Sequence, residues 1–177
     1  MDKTQLGVVR GMGLAMLTAV ATFALSIAYV ARMWDVGSDL ASRVTLAAWS
    51  LVTPAFALFV CIARLAKHRF FTPEDIHGSA LTGGTEKAKL LQALLQNTLE
   101  QCSLALPIYI ATSIVVPASL LPVVPAAAGM FLVGRAFFFA GYANGAPSRA
   151  FGFGLTFYPT VLLLFLLVAL GVSKVVA

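Results

Sequence analysis

A glutamate lies within an apolar segment that is long enough to cross a membrane. Residues 90–116 are mostly apolar, yet Asn97, Glu100 and Gln101 fall within the first dozen of them. Spaced at i, i+3 and i+4, these three residues are expected to share one face of a helix. Because an isolated carboxylate in hydrocarbon is costly, Glu100 needs a cation, a network of donors or a water-filled cleft. The segment is therefore a candidate functional site.

Arg135 is the best candidate for that cation, since it is the only charged residue in the next apolar segment. In the simplest interpretation, Arg135 and Glu100 form a structural ion pair that holds two helices together. In the alternative, the polar residues around Glu100 form a binding site. The residues alone leave both interpretations open.

The composition is that of an integral membrane protein. Of 177 residues, 60% are hydrophobic and 11% are charged, whereas about a quarter are charged in soluble proteins. The net charge of +5 does not indicate nucleic-acid binding, because the basic residues lie in short segments between apolar runs. Cys61 and Cys102 have neither disulfide nor metal-ligand spacing, so packing roles are expected. His68 and His77 also lack metal-ligand spacing, and we expect them to be solvated loop residues.

Apolar segments predict five transmembrane helices, since each is about as long as the hydrocarbon requires. The first three cover residues 11–31, 44–63 and 90–116, and the last covers 150–173. The 34 uncharged residues between Glu100 and Arg135 are too many for one helix and contain Pro117, Pro122 and Pro125. A hairpin is therefore expected there, with the fourth helix running on to Tyr142.

The N-terminal 43 residues form a separate unit in this prediction, a helix followed by a polar turn around Trp34 and Asp35. Lys3 and Arg10 before an apolar stretch are also typical of a cleaved signal. The stretch is longer than a signal core, so we expect the helix to be retained. Residues 44–177 then form a four-helix domain.

The positive charges predict the orientation in the membrane. With the N-terminus inside, nine Lys and Arg residues lie on the inner side and three on the outer side, as the positive-inside rule requires. The outer residues are Arg32, Arg43 and Lys174. The candidate site then faces the cytoplasm, from a bacterial inner membrane or, alternatively, from the endoplasmic reticulum.

Five short motifs follow one another along the chain: Arg64 before Pro73-Glu74-Asp75, Asn97-Thr98-Leu99-Glu100, Arg135, Gly141-Tyr142 and Ala146-Pro147-Ser148-Arg149. In their order and spacing, these motifs resemble the MAPEG family, membrane proteins of eicosanoid and glutathione metabolism. The resemblance implies an all-α homotrimer of four-helix membrane bundles, to which the first helix is an addition. It also implies that glutathione binds as a co-substrate between neighbouring subunits near the cytosolic face.

The resemblance implies a binding role for several residues. Arg64 and Arg135 would bind the carboxylates of glutathione, and Asn97 would bond its peptide. Glu100 would meet the amine or orient Arg135, and Tyr142 would add a donor.

Two further residues would be catalytic by resemblance. Arg149 falls on the arginine that stabilises the thiolate, a role that suits a guanidinium because it stays charged. Asp75 falls on an acidic loop residue proposed to assist catalysis in the prostaglandin branch.

The chain departs from the family pattern at three positions. Ala93 replaces a usual arginine, Phe138 replaces a tyrosine, and Gln101 stands where some members have tyrosine. Loss of the cation at Ala93 would weaken glutathione binding unless Lys87 or Lys89 replaces it.

The favoured function is a glutathione-dependent membrane transferase or peroxidase for lipophilic electrophiles or hydroperoxides. The alternative is a non-catalytic lipid-binding or scaffold protein. A small transporter is less favoured because the sequence has no internal repeat.

Overall fold

The computed structural model describes residues 1–33, 39–78, 81 and 83–176, which contain helices and no strand. Among these residues, five helices are long and apolar enough to cross a membrane. They are α1 (Lys3–Leu25), α2 (Leu40–Phe71), α3 (Glu86–Val115), α4 (Val123–Gly141) and α5 (Ala146–Val176). A π-helical turn, Ser26–Val30, and a last turn, Ala31–Met33, extend α1. The predicted all-α membrane protein is confirmed, while the turn around Trp34 and Asp35 lies outside the described residues.

Three of the helices begin at side chains that cap their free N–H groups. Asp2 accepts from the backbone N–H of Gln5 before α1, and Asp39 accepts from that of Ser42 before α2. Thr85 caps α3 through its hydroxyl oxygen. Capping explains why α2 and α3 start earlier than hydropathy predicts, because a capped helix continues into the polar interface beyond the hydrocarbon.

Pro54 lies inside α2, as the sequence predicts for a membrane helix. Proline removes one N–H, so the carbonyl of Ser50 loses its usual helical donor. The Thr53 hydroxyl donates to that carbonyl at 3.2 Å, which replaces the lost bond. Cys102 Sγ also lies 3.3 Å from the Pro54 carbonyl oxygen, so this buried cysteine joins α3 to α2.

Helices α4 and α5 form the central pair of the bundle. On its other sides α5 contacts α1 and α3, while α2 packs against α3 and α4. The largest core cluster includes Tyr109, Phe131 and Leu163, which are contributed by α3, α4 and α5.

Small residues hold α1 close to α5. Gly7, Gly11, Ala15 and Ala19 recur at every fourth position of α1, and both alanines are fully buried. A Cβ on Gly7 would lie 2.9 Å from the Cβ of Pro147, and one on Gly11 would lie 3.0 Å from the Cβ of Ala150. Helices in lipid associate largely through such close packing, so these residues determine where α1 docks.

Candidate functional site

The candidate site is a cavity of about 360 Å³ between α1, α3, the end of α4 and the start of α5. Its lining residues are Val8, Met12, Asn97, Phe138, Tyr142, Ala146, Arg149, Ala150 and Phe153. Three residues predicted from the sequence therefore meet at one cavity: Asn97, Tyr142 and Arg149.

Arg135 lies directly behind the wall of this cavity and is 1% exposed. Its Nη1 donates to Asn97 Oδ1 at 2.8 Å, and its Nε donates to Thr156 Oγ1 at 3.1 Å. The guanidinium carbon lies 4.3 Å from the centre of the Phe138 ring. Asn97 and Phe138 both line the cavity, so Arg135 helps to position two of the side chains that form its wall.

The charge of Arg135 has no anionic partner among the described residues. Their ion pairs join His68 to Asp75 and Lys89 to Glu86, and Arg135 Nη2 has no hydrogen-bond acceptor in the described part of the chain. A buried guanidinium with an unused donor is energetically costly unless another molecule supplies an acceptor.

The predicted Glu100–Arg135 ion pair is wrong within the described chain. Glu100 is exposed and accepts a hydrogen bond from Gln96 Nε2 at 3.0 Å. On an α-helix Glu100 lies about 60° to one side of Asn97, and Gln101 about 40° to the other. Asn97 reaches Arg135, Gln101 is buried with 6% exposure, and Glu100 points out of the bundle. The three polar residues therefore do not share one environment.

Arg149 is positioned by a tight turn between α4 and α5. Gly141 lies against the backbone of Ser148 and Arg149, with no room for a Cβ. Gly145 has a φ of 91°, a conformation that favours glycine, and α5 begins at the next residue. The turn brings the Arg149 guanidinium carbon to 4.3 Å from the centre of the Tyr142 ring.

The surroundings of Arg149 favour a negative charge at the cavity. Arg149 lies in the first turn of α5, where the partial positive charge of the helix N-terminus and the charge of the guanidinium both attract anions. The ion pairs of the described residues do not include it. Its charge is therefore available to an anion in the cavity.

Asp75 lies in the loop between α2 and α3, and it does not line this cavity. The carboxylate is 2% exposed and accepts from Thr85 Oγ1 at 2.6 Å, Thr85 N at 2.8 Å and His68 Nε2 at 2.9 Å. These donors, the Thr85 hydroxyl foremost, hold the pKa of the Asp75 carboxyl below its usual value. His68 is thus a half-buried residue of α2, and its predicted position as a solvated loop residue is wrong. The catalytic role of Asp75 stays a prediction.

Arg64 faces a different cavity of about 550 Å³, which Lys67, His68 and Lys87 also line. Lys89 is exposed, and its Nζ lies 2.8 Å from Glu86 Oε1. Neither Lys87 nor Lys89 lines the cavity that contains Asn97. The cation missing at Ala93 is therefore not replaced there by these lysines within the chain.

Comparison with family models matches residues 42–169 to the MAPEG family. The chain belongs to the MAPEG family. The match confirms the resemblance drawn from the motifs, and it covers nearly all of α2 through most of α5. Comparisons with curated proteins and with solved structures found no match. MAPEG membership indicates an integral membrane protein related to glutathione or eicosanoid metabolism.

Sequence reasoning missed several residues in and around this cavity. Thr156 is a buried acceptor for Arg135, and a Cβ on the facing Gly134 would lie 2.5 Å from its hydroxyl oxygen. A threonine in an apolar helix opposite a glycine is a weak signal by itself. Val8 and Met12 of α1 were also missed, although the four-residue repeat of small residues in α1 predicts a helix interface.

The first prediction is that Asn97 and Arg135 are energetic partners. Asn97→Ala and Arg135→Met should show a coupling of about 1.5 to 3 kcal/mol in a double-mutant cycle, the range for a hydrogen bond to a charged group. Thermal or denaturant unfolding in detergent micelles measures it. Glu100→Gln is the control and should combine additively with Arg135→Met. If Arg135→Met couples to Glu100→Gln and not to Asn97→Ala, Glu100 rather than Asn97 is the partner of Arg135. That Glu100 would then come from a neighbouring subunit.

The second prediction concerns Asp75 and pH. Because folding lowers the pKa of this carboxyl, its stabilising effect is present above the unfolded value of about 4 and is lost as the pH falls through the folded value. Wild type should therefore melt at a higher temperature than Asp75→Asn near pH 7, and the two should converge in acid. Glu74→Gln, at the exposed neighbouring position, should change little. A difference between wild type and Asp75→Asn that is constant down to about pH 3 would contradict this account.

Proposed function

We propose that the chain is a glutathione-dependent transferase or peroxidase that acts on lipophilic electrophiles or hydroperoxides. The observation that carries this proposal is Arg135, whose buried charge lacks an anionic partner and whose Nη2 lacks an acceptor among the described residues. A carboxylate that entered from the cavity between the Asn97 and Phe138 side chains, which separate it from Arg135, would satisfy both needs, since arginine and carboxylate form strong hydrogen bonds. Glutathione carries two carboxylates, and family membership makes it the natural candidate.

The cavity offers groups for the other parts of glutathione. The Asn97 amide would bond the peptide, and the Tyr142 hydroxyl would donate a further hydrogen bond. The cavity of about 360 Å³ lies at the small end of the range for ligand sites. Glutathione would fill much of it, which leaves limited room beside the sulfur.

Arg149 would activate the thiol. A guanidinium and a helix N-terminus beside the sulfur favour thiolate over thiol, and the proton passes to solvent. In the transferase reaction the thiolate sulfur attacks an electrophilic carbon, a C–S bond forms, and the leaving group departs with its electron pair.

The peroxidase reaction begins with the same thiolate. Its sulfur attacks the terminal oxygen of a hydroperoxide, the O–O bond breaks, and the alkoxide takes up a proton to become an alcohol. The resulting sulfenic acid then condenses with a second glutathione, which gives the disulfide and water.

Glu100 and Arg64 would act at the boundary between subunits of a homotrimer. Glu100 lies on an exposed apolar strip of α3 that includes Leu99, Leu106 and Ile110. An exposed carboxylate beside lipid is costly, and a neighbouring subunit would cover it. Arg64 would then reach a carboxylate in the neighbour's cavity, and Asp75 would assist catalysis from the adjoining loop. The site would face the cytoplasm, as the distribution of positive charges predicts.

The third prediction tests this assembly. Native mass measurement in a mild detergent should give three chains per particle, because the α3 strip is buried between subunits. Leu106→Arg should dissociate the trimer. Leu132→Arg on α4 is the matched control, since the two leucines are 39% and 38% exposed, and it should leave the trimer intact. A stable monomer of the wild-type chain would remove the intersubunit roles of Glu100 and Arg64.

The fourth prediction tests the chemistry. Wild-type protein mixed with glutathione near neutral pH should show ultraviolet thiolate absorbance above that of free glutathione. A thiol pKa lowered by about two units would raise the thiolate-to-thiol ratio about a hundredfold. Arg149→Ala should abolish the excess absorbance and largely spare binding, while Arg32→Ala, at an exposed position of the turn after α1, should keep both.

Ala93→Arg adds a complementary arm to this experiment. It restores the cation that the family usually has and should tighten glutathione binding if the site is present but weakened. Wild-type protein that neither binds nor ionises millimolar glutathione would instead favour the non-catalytic scaffold.

A further inference from the structure

The first helix contributes two side chains to the cavity that contains Arg149. Val8 and Met12 of α1 line it together with Phe138 and Phe153. These four apolar side chains share the cavity with the polar groups of Asn97, Tyr142 and Arg149. The cavity is therefore lined in part by groups suited to a peptide and in part by groups suited to an apolar ligand.

The wall formed by α1 is packed closely beside Arg149. Gly11 packs against Ala150, the residue that follows Arg149: a Cβ on Gly11 would lie 3.0 Å from the Ala150 Cβ, closer than side chains normally pack. One turn further along α5, a Cβ on Gly154 would lie 2.7 Å from the Cβ of Ala15 and 3.3 Å from Met12 Sδ. Met12 is thus packed between the cavity and the α5 backbone.

The aromatic side chains of the cavity form an extended cluster. The Phe153 ring lies 6.3 Å from that of Phe138 and 5.5 Å from that of Phe157, in a stacked arrangement with the latter. Thioether and aromatic groups bind apolar and aromatic ligands through dispersion and sulfur–ring contacts.

We propose that α1 forms the acceptor subsite of the enzyme. Val8 and Met12 contact the lipophilic part of the second substrate where it meets the glutathione sulfur, opposite Phe138 and Phe153. This inference rests on the proposed function, and it assigns a binding role to a helix that lies outside the family match at residues 42–169.

A second cavity gives the acceptor room to extend. It measures about 530 Å³, lies along the N-terminal part of α1, and shares Val8 and Ala146 with the first cavity. Because glutathione fills much of the smaller cavity, a substrate tail longer than a few carbons would pass Val8 into this second space.

S-alkyl glutathiones of increasing chain length test the subsite without requiring catalysis, because their alkyl group occupies the place of the acceptor. The purified full chain, with residues 1–33 verified by intact mass, should bind them more tightly as the chain lengthens. A buried methylene should contribute roughly a fourfold gain in affinity. Met12→Trp fills the subsite, so its affinity should no longer rise with chain length. The affinity of each S-alkyl derivative is compared with that of glutathione in the same variant, which separates the subsite from the glutathione site.

Matched controls come from the same helix. Leu14→Trp, at a position that is 57% exposed, should keep the gain with chain length. Gly11→Leu should weaken the gain by displacing α1 from Ala150, whereas Gly13→Leu, where a Cβ meets nothing within 4 Å, should preserve it. If Met12→Trp does not fold, Met12→Ala decides, because the enlarged subsite should extend the gain to longer chains.

The possible failures are distinguishable. Wild-type protein that does not bind glutathione or its S-methyl derivative would overturn the proposed function itself. Binding of glutathione with no gain for longer alkyl chains, or a gain that persists in Met12→Trp, would overturn the acceptor subsite alone.

Discussion

The buried guanidinium of Arg135 is the constraint on which the arrangement of the bundle depends. Its hydrogen bonds join α4 to Asn97 of α3 and to Thr156 of α5. Thr156 comes within reach because Gly134 and Gly152 let the two helices approach closely: a Cβ on Gly134 would lie 2.9 Å from the Gly152 carbonyl oxygen. A larger residue at either glycine would separate the helices and leave a buried donor unsatisfied. The close spacing of α4 and α5 is therefore what allows Thr156 to accept a hydrogen bond from the buried Arg135.

The arginines of the bundle differ in how their donors are used. Arg43 Nη1 lies within hydrogen-bond distance of three carbonyl oxygens at the end of α3, those of Ser113, Ile114 and Val116. Arg43 thus satisfies carbonyls that the helix cannot. Arg135 donates hydrogen bonds through Nε and Nη1 but not through Nη2 within the described residues. The guanidinium of Arg149 lies over the aromatic ring of Tyr142. The order from Arg43 to Arg149 runs from an arginine that supports the fold to the arginine that is proposed to bind a ligand.

Hydropathy was sufficient to predict the five helices, because the cost of burying charge in hydrocarbon dominates all other terms. It placed the start of α2 too far inward, since Asp39 caps a helix that begins before the apolar run. The partner of Arg135 was not predictable in the same way. A pair across two helices depends on how each is rotated about its axis, and packing of the whole bundle determines that rotation. The motif placed Asn97 and Glu100 together, but a difference of about 60° decides which of them faces the core.

The family match does not include α1, although α1 packs closely against a helix of the matched region. Ala150 and Gly154 lie inside the matched residues 42–169, yet both pack against α1, which lies outside the match. A Cβ on Gly11 would lie 3.0 Å from that of Ala150, and a Cβ on Gly154 would lie 2.7 Å from that of Ala15. The small residues of α1 and α5 allow the two helices to pack closely, and each set would lose dispersion contacts if the other helix were absent. Helix α1 therefore packs on α5 of the family's four helices, and the cavity at Arg149 is lined by side chains of α1 as well as of α3, α4 and α5.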